Sequence, residues 1–139
     1  MEERTAGEGV QRLADWIAIR ELTARVGRAF DDGRAVDWAG CFTDDAVFEV
    51  VGRLRLEGAS ALREFAAAAP YGSVHITTDH VIEIDGDRAL QTCTLISARR
   101  SEDRGPVAFG GTGRYTDELV RTPAGWRFAH RSCTLDGGA

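Results

Sequence analysis

Three histidines, His75, His80 and His130, are the side chains of this sequence best suited to moving protons near neutral pH. Removing a proton beside a carbonyl calls for a base whose pKa lies near the working pH, and imidazole is the natural choice. A carboxylate bonded to the far ring nitrogen fixes the tautomer and stabilises the imidazolium as it forms. Two aspartates can play that part for His75. Asp79 falls on the same face of a regular strand, and Asp31 ends a helix-like stretch, where its plainer use is to cap the helix. His80 should face away from His75, because strand side chains alternate, unless a bulge intervenes between them.

Arg131, in the last strand-like segment, can stabilise an enolate oxygen or hold a substrate carboxylate. The commoner use of such an arginine is to pair with a surface acid, and its neighbour His130 faces the other way. Tyr115 and Asp117 share one strand face. Tyr115 can donate a hydrogen bond to a carbonyl oxygen, although an aromatic at a half-buried strand position more often belongs to the core. Arg99 and Arg100 read as a solvated rim or a gate. The Gly110-Gly111-x-Gly113 run precedes no helix, so it reads as a bend in a strand and not as a phosphate loop.

The bulk composition narrows the chemistry. All 17 basic residues are arginine, which excludes lysine Schiff bases and a Walker-type phosphate loop. Cys41, Cys93 and Cys133 are odd in number, widely spaced and without a metal-ligand pattern, so they read as small buried hydrophobes. No metal site and no cofactor are implied. Net charge is −5 with the arginines scattered, which makes nucleic acid a poor partner. No apolar run approaches the roughly 20 residues of a membrane helix, and the acidic N-terminus lacks a signal-peptide core. A cytoplasmic protein is expected.

The 139 residues suit one domain, placed at 10–136 behind a flexible terminus at 1–9. Apolar residues recur at helical spacing from Val10 to Phe30, and Gly33 is a natural left-handed helix end. Asp37 can cap a short second helix carrying Trp38, Cys41 and Phe42. Residues 46–57 alternate as strand, with Gly52 marking a hairpin, and 59–69 return to helix before Pro70. Residues 74–84, 89–100, 107–121 and 126–135 read as long strands joined by Asp85-Gly86-Asp87 and Thr122-Pro123-Ala124-Gly125 turns. Three helices on one side of a mostly antiparallel sheet define an α+β domain.

Three stretches carry a resemblance: "IRELTARVGRAFDDGRAVDWAGCFTDDAVFEV", "VHITTDHVIEIDGDRAL" and "GRYTDELVRTPAGWRFAHR". They resemble the SnoaL-like, scytalone-dehydratase-like branch of the NTF2-like superfamily. The resemblance implies a cone: a strongly curved sheet, closed by the helices, around a mostly apolar pocket. Trp16, Phe30, Trp38, Phe48, Phe65, Tyr71 and Phe109 can line it. It also favours Asp31 over Asp79, because in that branch an aspartate ending the first helix orients a histidine opening the long strand. His75 is then the general acid/base, with Arg131 and Tyr115 as oxyanion partners.

The implied activity is a cofactor-independent dehydration, cyclisation or isomerisation of a hydrophobic, oxygenated ring compound such as a polyketide- or steroid-like intermediate. A non-catalytic binder of small apolar ligands needs the same pocket and is the alternative, with a sheet-mediated assembly domain behind it. A ketosteroid-isomerase-like site fits less well, because Val26 and Val50 stand where its tyrosine and aspartate belong and Glu49 should face away. Relatives commonly pair through the sheet, so a homodimer or higher homo-oligomer is expected.

Overall fold

Helix formation begins earlier than the apolar spacing indicates, because Thr5 and Glu8 cap each other. In the computed structural model, which describes residues 4–137, the Thr5 hydroxyl accepts from the Glu8 N–H at 3.2 Å. The Glu8 carboxylate accepts from the Thr5 N–H at 3.0 Å. This capping box satisfies two donors that a helix start leaves orphaned, and helix α1 accordingly spans Ala6–Asp31. Residues 6–9, expected in a flexible terminus, are helical; residues 1–3 lie outside the described residues.

The buried stripe of α1 shifts as well. Val10, Leu13 and Ile17 stay exposed, whereas Ile19, Leu22, Val26 and Ala29 are buried. The middle of the helix is held by a charged clamp. Arg121 meets both carboxylate oxygens of Asp15 at 2.7 Å, and the Trp126 indole N–H donates to Asp15 at 3.1 Å. The helix ends as expected, with Gly33 in the left-handed region at φ 72°.

Helix α2 covers Ala35–Ala39 and α3 covers Ala59–Ala67. Asp37 does not cap α2. Arg34 holds the cap position, and Asp37 lies inside the first turn, where it pairs with Arg34 at 2.9 Å. The strands are β1 (Phe42–Val50), β2 (Leu54–Glu57), β3 (Ser73–Asp85), β4 (Arg88–Arg99), β5 (Ala108–Thr122) and β6 (Gly125–Leu135). They form one unclosed sheet in the order β2-β1-β6-β5-β4-β3, antiparallel except where β1 meets β6. No helix among the described residues is long and apolar enough to cross a membrane.

Besides a register shift between Phe42 and Val47 where β1 meets β6, three β-bulges in the antiparallel part of the sheet curve it and decide which residues face inward. On β3 three steps, Thr78 to Val81, span two on β4, Thr94 to Thr92. On β5 two steps, Gly111 to Phe109, span one on β4, Ser97 to Ala98. On β6 two steps, His130 to Phe128, span one on β5, Glu118 to Leu119. Each extra residue bends its strand and reverses the alternation of faces beyond it. Gly110 occupies the second bulge, where a Cβ would stand 2.7 Å from the Ser97 hydroxyl. Only glycine fits there without a shift.

The helices close the concave side through an aromatic cluster. Trp38 lies 5.6 Å from Phe30, 4.8 Å from Phe42 and 5.4 Å from Phe48, centroid to centroid, with Phe65 6.0 Å from both Phe30 and Phe48. Burying each such ring contributes about 1.5–3 kcal/mol. The cluster ties α1, α2, α3 and β1 together around a hollow.

Candidate functional site

Asp31 is the last residue of α1 and His75 lies near the start of β3, so the packing of helix on strand brings them together. The Asp31 carboxylate accepts from the His75 backbone N–H at 2.7 Å and from the Ser73 hydroxyl at 3.2 Å. It also lies 2.5 Å from His75 Nδ1. A carboxylate already taking two donors is an acceptor, so Nδ1 carries a ring proton and Nε2 is the nitrogen turned away from Asp31. Nε2 has no hydrogen-bonding partner among the described residues. The Phe30 edge packs at a right angle to the imidazole, 5.4 Å away, and limits how the ring can turn.

The rival groups lie elsewhere. Asp79 is exposed at the β3 bulge with φ 56°, where it accepts from Thr94 and does not reach His75. That bulge is the exception on which His80's facing depended. It turns His80 to the inner face, where its Nδ1 lies 3.0 Å from the Gln91 side-chain oxygen. His130 lies on the outer face, 3.1 Å from Glu49, which also points outward.

Below His75 the sheet carries a buried polar chain. Arg131 and Asp117 are 3% and 0% exposed, with Arg131 Nε 3.0 Å from Asp117 Oδ1 at an angle that falls short of a hydrogen bond. Gln91 donates to Asp117 Oδ2 at 2.9 Å and to the Thr23 hydroxyl at 3.0 Å. The Arg131 guanidinium carbon lies over Tyr115, 3.5 Å from the ring centroid. Burial pushes the Asp117 carboxyl upward in spite of Arg131, and pushes the Tyr115 phenol far above its usual value. Tyr115 is thus a neutral hydrogen-bond donor. Burial also raises all three thiols, Cys93 to about 11, so none is a thiolate nucleophile.

These groups meet at a cavity of about 250 Å³. Of the expected lining residues, Phe30, Trp38, Phe48 and Phe65 form its wall, together with His75, Tyr115 and Arg131. Asp31 stands behind His75. Trp16, Tyr71 and Phe109 do not belong to the wall and are 40%, 62% and 74% exposed. Trp16 lies on the exposed side of α1 under Arg20, and Tyr71 stacks with Arg100 at the rim. Phe109 is turned outward by the bulge at Gly110.

Sequence reasoning missed Val26, Gly27, Val50, Leu95, Ser97, Cys133 and Leu135 as wall residues. Ser97 is the polar one, paired directly across the sheet from His75. Its strand offered a misleading signal. Leu90, Thr92, Thr94 and Ile96 look like the buried face, yet Gln91, Cys93 and Leu95 are the buried residues and Leu90 is 53% exposed. Among the described residues no three His, Cys, Asp or Glu side chains converge as a metal-binding set.

A family model described as a SnoaL-like domain matches residues 11–132. The chain belongs to the SnoaL-like domain family. No curated protein matches it. Solved structures place this SnoaL-like protein among NTF2-like proteins. One is an NTF2-like protein with a cystatin-like fold from Novosphingobium aromaticivorans, 26% identical, covering 96% of this chain and 89% of that one at a TM-score of 0.87. A protein of unknown function from Mycobacterium tuberculosis is 32% identical over 91% of this chain and 74% of its own, at 0.82. A candidate scytalone dehydratase from Novosphingobium aromaticivorans shares the fold at 17% identity and 0.78, covering 89% and 85%.

Proposed function

We propose that this SnoaL-like protein is a cofactor-independent acid–base enzyme that dehydrates a small, hydrophobic, oxygenated ring compound, with cyclisation and isomerisation as neighbouring outcomes of the same intermediate. One observation carries the reading: an imidazole held at Nδ1 by a carboxylate belongs to the wall of a mostly apolar cavity that also holds a buried guanidinium. His75 Nε2 takes a proton from the carbon beside a carbonyl, and the electron pair moves onto the carbonyl oxygen. Arg131 and the neutral Tyr115 hydroxyl stabilise that oxygen. Asp31 holds the imidazolium, which then gives its proton to the β-hydroxyl. The C–O bond breaks, water leaves and a C=C bond remains, with His75 neutral again.

The ketosteroid-isomerase type of site is not favoured. Val26 and Val50 both lie in the cavity wall and supply neither a proton donor nor a base. The test uses 3-hydroxy-1-tetralone, a β-hydroxyketone that becomes 1-naphthol on losing water. His75→Ala should lower kcat about 10²–10⁴-fold with the fold intact by circular dichroism. Absence of turnover by the native protein, or equal turnover by the variant, removes His75 from the chemistry and favours a binding role.

A further inference from the structure

The charges around the cavity carry information about what it admits. His75 and Arg131 are titratable residues of the wall, besides the buried Tyr115 and Cys133. Asp117 is not part of the wall but stands against Arg131 at 3.0 Å. Gln91 Nε2 donates to one of its oxygens, and the other stands 3.0 Å from Arg131 Nε, whose guanidinium has no other ion-pair partner among the described residues. Asp117 thus stands as the counter-charge of Arg131, whose positive charge is already matched. Asp31 behind His75 is a second carboxylate beside the cavity, so the surroundings offer a ligand no guanidinium left unmatched.

We propose that Asp117 makes this site selective for neutral ring ketones and against ring carboxylates, a specificity that rests on the reading of the cavity as a substrate pocket. A carboxylate ligand would meet a guanidinium already matched in mostly apolar surroundings and would have to shed its hydration to enter them. A neutral ketone adds no charge. None is added when the enolate forms, because the proton it loses stays on His75. The buried guanidinium thus serves charge that develops during reaction, while Asp117 discourages charge that arrives with the ligand. Of the two uses open to Arg131 from sequence, the same arrangement favours an enolate partner over a carboxylate anchor.

Two probes of nearly equal shape test this, 2-acetonaphthone and 2-naphthoate, titrated by calorimetry at neutral pH. The native protein should bind the ketone at least about tenfold more tightly than the carboxylate. Asp117→Asn should tighten naphthoate by about tenfold or more while moving the ketone by less than about threefold. Naphthoate binding as tightly as the ketone, or binding of neither probe, overturns the inference. The comparison on the native protein stands even if Asp117→Asn does not fold. Because turnover of 3-hydroxy-1-tetralone is a separate measurement, selectivity without turnover sinks the enzymatic reading alone, and turnover without selectivity sinks this one alone.

Discussion

Two aspartate–arginine pairs in this protein have the same chemistry and opposite character. Asp15 and Arg121 meet through two bonds of 2.7 Å, with the Trp126 N–H and the Gln11 amide also on Asp15. Hydrogen bonding to Arg121 holds the Asp15 carboxyl below its usual range. Asp117 and Arg131 are more deeply buried, touch through a single misaligned 3.0 Å contact, and burial drives the Asp117 carboxyl the other way. A bidentate pair at the edge of the core retains enough hydration to stabilise the fold, whereas a fully buried one repays its desolvation poorly. The clamp stabilises; the buried pair holds charge beside a cavity at a cost to stability. Such perturbed pairs concentrate at functional sites.

Substitutions in the two pairs separate the two roles. Asp117→Leu with Arg131→Met should lower turnover of 3-hydroxy-1-tetralone by about 10²–10³-fold, the usual cost of losing an oxyanion donor. Its unfolding free energy in urea should stay within about 1 kcal/mol of native or rise. A loss of several kcal/mol would make the pair a structural element after all. Asp15→Ala should do the reverse. It should cost about 2–3 kcal/mol in urea unfolding, because charged bonds are lost and the Trp126 N–H is left unpaired, with kcat nearly unchanged.

The smallest effect is in pH. Asp15 has a lowered folded pKa, so its contribution is present above the unfolded value of 3.8 and fades as pH falls through the folded value. Asp117 has a raised folded pKa, so its ionisation weakens the fold as pH rises, and acid relieves that cost. Acid unfolding followed by circular dichroism should therefore become shallower in Asp15→Asn and steeper in Asp117→Asn. Shifts of the same sign in both would erase the contrast between the pairs.

Much of the site was legible in the sequence. The residues alone left Asp31 and Asp79 open as partners of His75; the family resemblance favoured Asp31, which lies against His75, and offered Phe30, Trp38, Phe48 and Phe65, which line the cavity. The capping box Thr5-x-x-Glu8 was also there to be read, and starting the helix at Val10 passed over it. Less legible were residues beyond a bulge. Period-two reasoning put His80 on the face away from His75 unless a bulge intervened, and a bulge turns it inward; Phe109, offered as lining by the family resemblance, is turned outward by another. Phe128 and Arg131, three apart on β6, are both buried for the same reason.

By itself the sequence determined the order of the elements, the end of α1 at Gly33 and the residue types available for acid–base work. These follow from local preferences: apolar period, turn chemistry and a glycine that can take a positive φ. The tertiary structure alone decided which of those residues share the hollow. Facing along a bulged strand depends on which neighbour it pairs with and where one residue is left over, and that is settled by contacts between segments far apart in the chain.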